Sequence, residues 1–252
     1  MRAVQMVRRN RIVYWRASRM SFLFAVLVPV MFLSAMGFGL GSMVEENESF
    51  RGVAYLAFFG TGILSATAMQ AGVFEGSYPI MAKIIWQRNY EAILASPLST
   101  RDIFIGELMW VAALQAQTAT GFLIALSIFD VIGPLDALLV LPVVVLLGVA
   151  CASVVMAYTA TLQTDEAYTW LFRLVVTPLF LLSGTFFPIA ELPGWAQALA
   201  HLTPLFHAVE LVRQIALFEV EVSALWHFGF LVVMLGAGIA WGSRTFERRL
   251  KP

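Results

Sequence analysis

Six stretches of this chain are apolar for about the ~20 residues that a helix needs to cross the hydrocarbon core of a bilayer. They cover residues 22–41, 53–74, 108–129, 137–162, 168–188 and 224–243. Lipid offers the backbone no hydrogen-bond partners, so each run is predicted to be a helix and the chain to be all-α. A chain with 60% hydrophobic and 13% charged residues cannot cover a water-facing surface of 252 residues. The reading is one polytopic membrane domain, 1–252, with six transmembrane helices. Pro29 and Pro142 fall inside runs and are expected to kink them. Gly37, Gly39 and Gly41 thin the end of the first run, which permits close helix contact or a bend.

Charge sets the orientation. With an even number of spans and the N-terminus inside, fourteen of the sixteen Lys and Arg face the cytoplasm, and only Arg51 and Arg213 face out. That split satisfies the positive-inside rule, and both termini are expected to be cytoplasmic. Trp15, Trp86, Trp110, Trp170 and Trp241 then fall near the inner interface, Trp195 and Trp226 near the outer. Residues 1–21 carry six arginines and no acid. Val4, Val7, Arg11, Tyr14, Trp15 and Ser18 fall on or near one helix face. The segment is either an amphipathic helix on the anionic inner leaflet or a topology signal only. The outer loops are acidic, with Glu45, Glu46 and Glu48 in one cluster and Glu219 and Glu221 in another. They are solvated loops, or they steer a cationic substrate.

Two connections stand out. Residues 76–106 form the longest cytoplasmic one. Ile84, Ile85, Arg88, Glu91, Ala92 and Ala95 predict a short helix that Ser96-Pro97 ends. Ser99 and Asp102 then have the spacing of a capping box for the next helix. Residues 189–222 form the longest external one. Pro188, Pro193 and Pro204 cut it into short pieces. Trp195, Leu199 and Leu202 recur at helical spacing in one piece, and Leu205, Ala208, Val209 and Val212 in the next. Two short amphipathic helices, re-entrant and half sunk in the outer interface, are expected after span five.

The wording LLSGTFFPI, LPGW and TPLFHAVELVR, with YEAILASPLSTRDIFIGELMW at residues 90–110, resembles the permeases of type-2 ATP-binding-cassette exporters. Nodulation-factor export and daunorubicin-resistance permeases are the relatives it is most like. The resemblance implies a transmembrane subunit in the cytoplasmic membrane that moves a drug, a lipid or a lipid-linked saccharide outward. It implies two copies of a separate ATPase subunit, with ATP and Mg on that partner, and a second permease subunit. It also places a coupling helix in 76–106, with Tyr90, Ile93 and Leu94 as anchors in a groove of the ATPase and Arg88 and Glu91 as polar guides, ended by Ser96 and Pro97. A plain amphipathic linker is the alternative. Pro188, Pro193, Trp195, Pro204 and Phe206 are the candidate outer gate, or a lid that merely caps the fold.

The sequence carries no G-x-x-x-x-G-K-[ST] phosphate loop, so ATP hydrolysis is expected in a partner and not here. No cofactor, metal or nucleic acid is expected on this chain. His201 and His207 are six apart, outside the spacing of a helical metal site. Ser183 lies in LSGT rather than in a nucleophile elbow. Cys151, the single cysteine, reads as a small core residue. Glu75 and Glu107 read as hydrated carboxylates at inner span ends. Glu210 and Arg213 have the spacing of a structural helical ion pair. Asp165 and Glu166 make a short inner turn, solvated or in contact with the ATPase. Polar residues inside spans, Thr61, Ser65, Gln70, Gln115 and Thr118, either line a pathway or bond helix to helix. A secondary transporter or channel would show inverted repeats or a midplane carboxylate, and neither is visible. A structural membrane partner without transport activity stays open.

Overall fold

The computed structural model describes residues 3–17, 20–39 and 53–251. The acidic cluster Glu45, Glu46 and Glu48 lies outside them, as do Arg2, Arg19, Gly41 and Arg51. Every regular element among the described residues is helical. α1 is Ala3–Ala17, α2 Ser21–Gly39 and α3 Tyr55–Gly76; α4, Tyr78–Met81, follows with a wide π turn over Ala82–Trp86. Next come α5 Asn89–Leu94, α6 Thr100–Ile128, α7 Pro134–Thr159 and α8 Glu166–Trp170. A second π turn, Leu171–Val176, leads into α9, Thr177–Leu182. α10 is Gly194–His201, α11 Pro204–Ala216 and α12 Ser223–Leu250.

Among the described residues, four helical stretches are long and apolar enough to cross a membrane: 55–86, 100–128, 134–159 and 223–250. The first predicted span is the 19-residue α2. The fifth, expected over 168–188, runs without a gap from Glu166 through the π turn and stops at Leu182. A π turn admits one residue more than the α-helical ladder holds and sits as a bulge inside the helix. α2 and α7 both continue past their internal prolines.

The bundle is organised around α3 and α7, which pack on each other. Within the apolar window of α3, 72% of residues are buried, against 17% for α12, which leaves most of α12 facing outward. α3 and α7 cross at backbone contact. A Cβ on Gly72 would lie inside the van der Waals radius of the Gly148 carbonyl oxygen. Small residues at a crossing let helix backbones approach, which is how helices associate when lipid is as apolar as their side chains. α12 meets α7 in the same way, with Gly238 against Ser153, and its Gly242 admits the ring of Phe104. Two apolar clusters result. The larger holds Phe59, Leu64, Met69, Phe122, Leu126, Val144, Leu147, Leu205 and Val209. The smaller surrounds Met6, Ile80, Tyr90, Phe104 and Phe246.

α1 packs along α6. Met6 and Asn10 are buried, Ala3 and Met6 lie against Gly106, and Tyr14 meets Trp110 edge-on with centroids 5.5 Å apart. This corrects the predicted face: Val4 and Arg11 are exposed, and the helix packs through positions 3, 6, 10 and 14.

Candidate coupling segment and outer gate

The two ends of the bundle are named here after the predicted orientation. At the inner end, the helix predicted across 84–95 is broken. Arg88 has φ 48, in the left-handed region that costs an L-residue energy, and separates the π turn from α5. Side-chain crowding at a left-handed residue leaves no trace in hydrophobic periodicity. The capping box forms as read: Ser99 Oγ accepts from the Asp102 N–H at 3.1 Å, and Asp102 Oδ2 accepts from the Ser99 N–H at 3.0 Å.

α5 has two unlike faces. Arg88, Glu91, Ala92, Ala95, Ser96 and Pro97 are exposed; Ile93 and Leu94 are half-buried. Arg88 and Glu91 are 3.9 Å apart in a solvated pair. Tyr90, expected as a groove anchor, is 0% exposed, with its ring 6.2 Å from that of Phe246. It therefore packs into this chain and presents nothing to a partner. Leu94 and Leu98 rim a groove of about 820 Å³ shared with Arg101, Arg244 and Glu247 of α6 and α12.

Glu107 also departs from expectation. Its side chain is 1% exposed, not hydrated. Its Oε2 accepts from Asn10 Nδ2 at 2.9 Å and from Lys83 Nζ at 2.7 Å, and its Oε1 accepts from the Tyr90 hydroxyl at 3.1 Å. A buried charge requires such donors, because water no longer solvates it. Burial, with Glu107 beside it, holds the Tyr90 phenol well above its ordinary range, so it stays a donor. Just below, the bend at Ser77 frees the Gly76 carbonyl, which accepts from Thr159 Oγ1 at 2.8 Å; Tyr168 in turn donates to Thr159.

The candidate pathway residues do not converge. Thr61 and Ser65 are buried and donate to carbonyls of their own helix, Thr61 to Ala57 and Phe58, Ser65 to Thr61. Gln70 is exposed on the outside of α3. Gln115 donates to the Ala68 carbonyl at 3.2 Å and, with Thr118, borders a cavity of about 430 Å³ beside Arg9, Tyr14, Lys83 and Trp110.

At the outer end, the prolines do what the sequence implied. Pro204 opens α11, capped by Thr203 Oγ1, which accepts from the Phe206 N–H at 3.2 Å. Pro193 precedes α10, and Pro188 a single 3₁₀ turn. α10 faces the other way from a helix in water. Trp195 is 65% exposed, with Leu199 and Leu202 beside it, while Ala196 and Ala200 are buried. Phe206, on α11, is buried against His201, His207 and His227.

Arg213 is 2% exposed. Its Nη2 donates to the Gly184 carbonyl at 2.8 Å and the Phe58 carbonyl at 3.1 Å, and its guanidinium lies 3.5 Å from the Phe58 ring centroid. The expected Glu210 partner is 4.0 Å away. His207 finds its partner on α12, not at His201's imidazole: the two Nδ1 atoms of His207 and His227 are 2.8 Å apart. His207 Nε2 lies 3.0 Å from the His201 carbonyl, which only accepts. A neutral His207 therefore carries its proton on Nε2, and His227 Nδ1–H donates to its Nδ1.

The family profile described as ABC-2 type transporter matches residues 2–217. The chain belongs to the ABC-2 type transporter family. It is 33% identical over 245 residues to "Nodulation protein J" of Rhizobium meliloti (strain 1021), covering 97% of this chain and 92% of that one. It is 32% identical over 243 residues to "Nodulation protein J" of Rhizobium leguminosarum bv. viciae, covering 96% and 93%. Against "Probable multidrug ABC transporter permease YbhR" of Escherichia coli (strain K12) the identity is 26% over 159 residues, 61% of this chain and 43% of the other. This is thus an all-α, multi-pass membrane permease of the ABC-2 type. Reading the permease from its sequence missed the Glu107 cluster and the His207–His227 pair. The one available signal was the presence of ionisable groups near the ends of apolar runs, where isolated charge is costly.

Proposed function

We propose that this permease is the membrane half of an exporter driven by a separate ATPase, which docks on residues 88–97. One observation carries the reading. α5 is only six residues long, is fastened from inside through Tyr90, and is bare on its outer face between two weak points of the helical ladder. A helix this short has no independent stability, so it is shaped by what it packs on. Ile93 and Leu94 are the apolar contacts of the docking face, Arg88 and Glu91 its polar guides, and Ser96 and Pro97 its edge. Two ATPase subunits bind ATP and Mg; a second permease subunit completes the pathway. The complex sits in the cytoplasmic membrane with both termini inside, and Pro188, Pro193, Trp195, Pro204 and Phe206 belong to the outer gate. The substrate is a drug, a lipid or a lipid-linked saccharide.

Copurification from membranes with the ATPase subunit tests the docking. Glu91→Lys with Leu94→Ala is expected to weaken it by roughly thirtyfold, the effect of losing about 2 kcal/mol at an interface anchor. Unchanged copurification and export would move the contact to the Asp165–Glu166 turn. Orientation is read independently by thiol labelling of Ala198→Cys in a Cys151→Ala background, which should proceed from the outer face.

A further inference from the structure

We infer that Glu107 is a positioning residue that makes the coupling segment, the basic helix α1 and the long span α6 move together. The inference rests on the docking of an ATPase on 88–97 and names how that contact reaches the membrane. The carboxylate gathers donors from three elements distant in sequence: Asn10 of α1, Lys83 of the π turn and Tyr90 of α5. It projects from α6, whose 29 residues form one uninterrupted helix.

The surroundings make this junction more than a tether. On the Tyr90 side the junction belongs to the apolar cluster of Ile80, Ile103, Phe104, Leu108 and Phe246, whereas Asn10 and Lys83 border the cavity of about 430 Å³. On the Tyr90 side a lost donor is not replaced by water, so that bond is held tightly. Tyr90 cannot move away from Glu107 without leaving an unsatisfied charged oxygen. Asn10 and Lys83 share the other oxygen, so displacement of either is felt by both.

The chain on either side of α5 is built to yield. The π turn Ala82–Trp86 and the left-handed Arg88 precede it, and the turn at 95–97 follows it. Tyr90 is the one α5 residue that is fully buried, and Glu91 and Ala92, next in sequence, are exposed. A push on the exposed face therefore pivots α5 about the Tyr90–Glu107 bond. α1 is carried along because it rests on the backbone of α6 at Gly106, one residue away from the carboxylate.

The test uses the full permease with its ATPase in lipid vesicles, with no transported substrate needed. The readout is the ATP-dependent change in labelling rate of Ala198→Cys, on the outer helix α10, in a Cys151→Ala background. Tyr90→Phe removes one oxygen and keeps the ring packed against Phe246. It should leave ATPase copurification and ATP turnover within about twofold while the ATP-dependent labelling change falls about tenfold, the size of effect expected for a hydrogen bond to a buried charge. Glu107→Gln, which keeps the shape and loses the charge, should give the same uncoupling. A structural role alone would lower thermal stability and complex yield together and leave the labelling change per ATP intact. If Tyr90→Phe and Glu107→Gln bind the ATPase and show the full labelling change, the inference is wrong and the docking reading stands. If the unsubstituted permease captures no ATPase, both fall.

Discussion

The inner and outer ends of this permease each bury a charged side chain, and they satisfy it by different means. Glu107 is held by side chains, from three elements. Arg213 is held mainly by backbone, through the carbonyls of Phe58 and Gly184, and by the face of the Phe58 ring. Asn10 and Lys83 border a cavity and can swing through rotamers, while Tyr90 stays locked in its apolar cluster. Backbone carbonyls move only when their helix or turn moves. The inner junction is thus adjustable on its cavity side, and the outer one is fixed in shape.

This contrast can be broken most severely at Glu107. Glu107→Ala takes the paired carboxylate from Lys83 and leaves Asn10 and the Tyr90 hydroxyl without their acceptor. About 3 kcal/mol of stability should go, at the lower edge of the range for broken buried pairs because Lys83 keeps some water. Thermal unfolding in detergent, followed by size-exclusion chromatography, reads the loss. Arg213→Ala should cost about 2 kcal/mol, since the carbonyls of Phe58 and Gly184 lose a charged donor. Arg213→Lys should recover only part of it, because an ammonium cannot cover both carbonyls and the ring at once. Equal stability of Arg213→Lys and the parent protein would put the outer junction in the adjustable class as well. His227→Phe removes the donor to His207 and should cost about 1 kcal/mol in the same assay. The smallest effect belongs to Glu91→Lys, within about 0.5 kcal/mol of the parent. A large loss there would mean that the exposed face of α5 carries part of the fold.

Much of this was legible in the sequence, and the division follows range. Ser99 and Asp102 are three residues apart, so the capping box was readable. So were the two helices between Pro193 and Ala216, where proline and periodicity act locally. Which face of α10 turns inward was not. Periodicity marks Trp195, Leu199 and Leu202 as one stripe, but beside lipid the large apolar side chains face outward and the small Ala196 and Ala200 pack. Glu107 shows the limit more sharply. Its donors lie 97, 24 and 17 residues away. No local pattern joins them, and so a carboxylate at the end of an apolar run reads as hydrated until the chain folds around it. Tyr90 was expected to face a partner and is buried instead, because a six-residue helix has too few turns to define a buried face. For Arg213, the Glu210 spacing was visible, whereas the Phe58 carbonyl is 155 residues away.

The crossing of α3 and α7 has a practical use. With Gly72 seated against Gly148, a slip of either helix by one residue would drive Ala71 or Val73 into a carbonyl oxygen. The pair works as an indexed joint with one setting. Spectroscopic labels on α3 and α7 should therefore hold a constant separation through any cycle. They supply an internal ruler against which displacement of α5, α6 or α10 is measured.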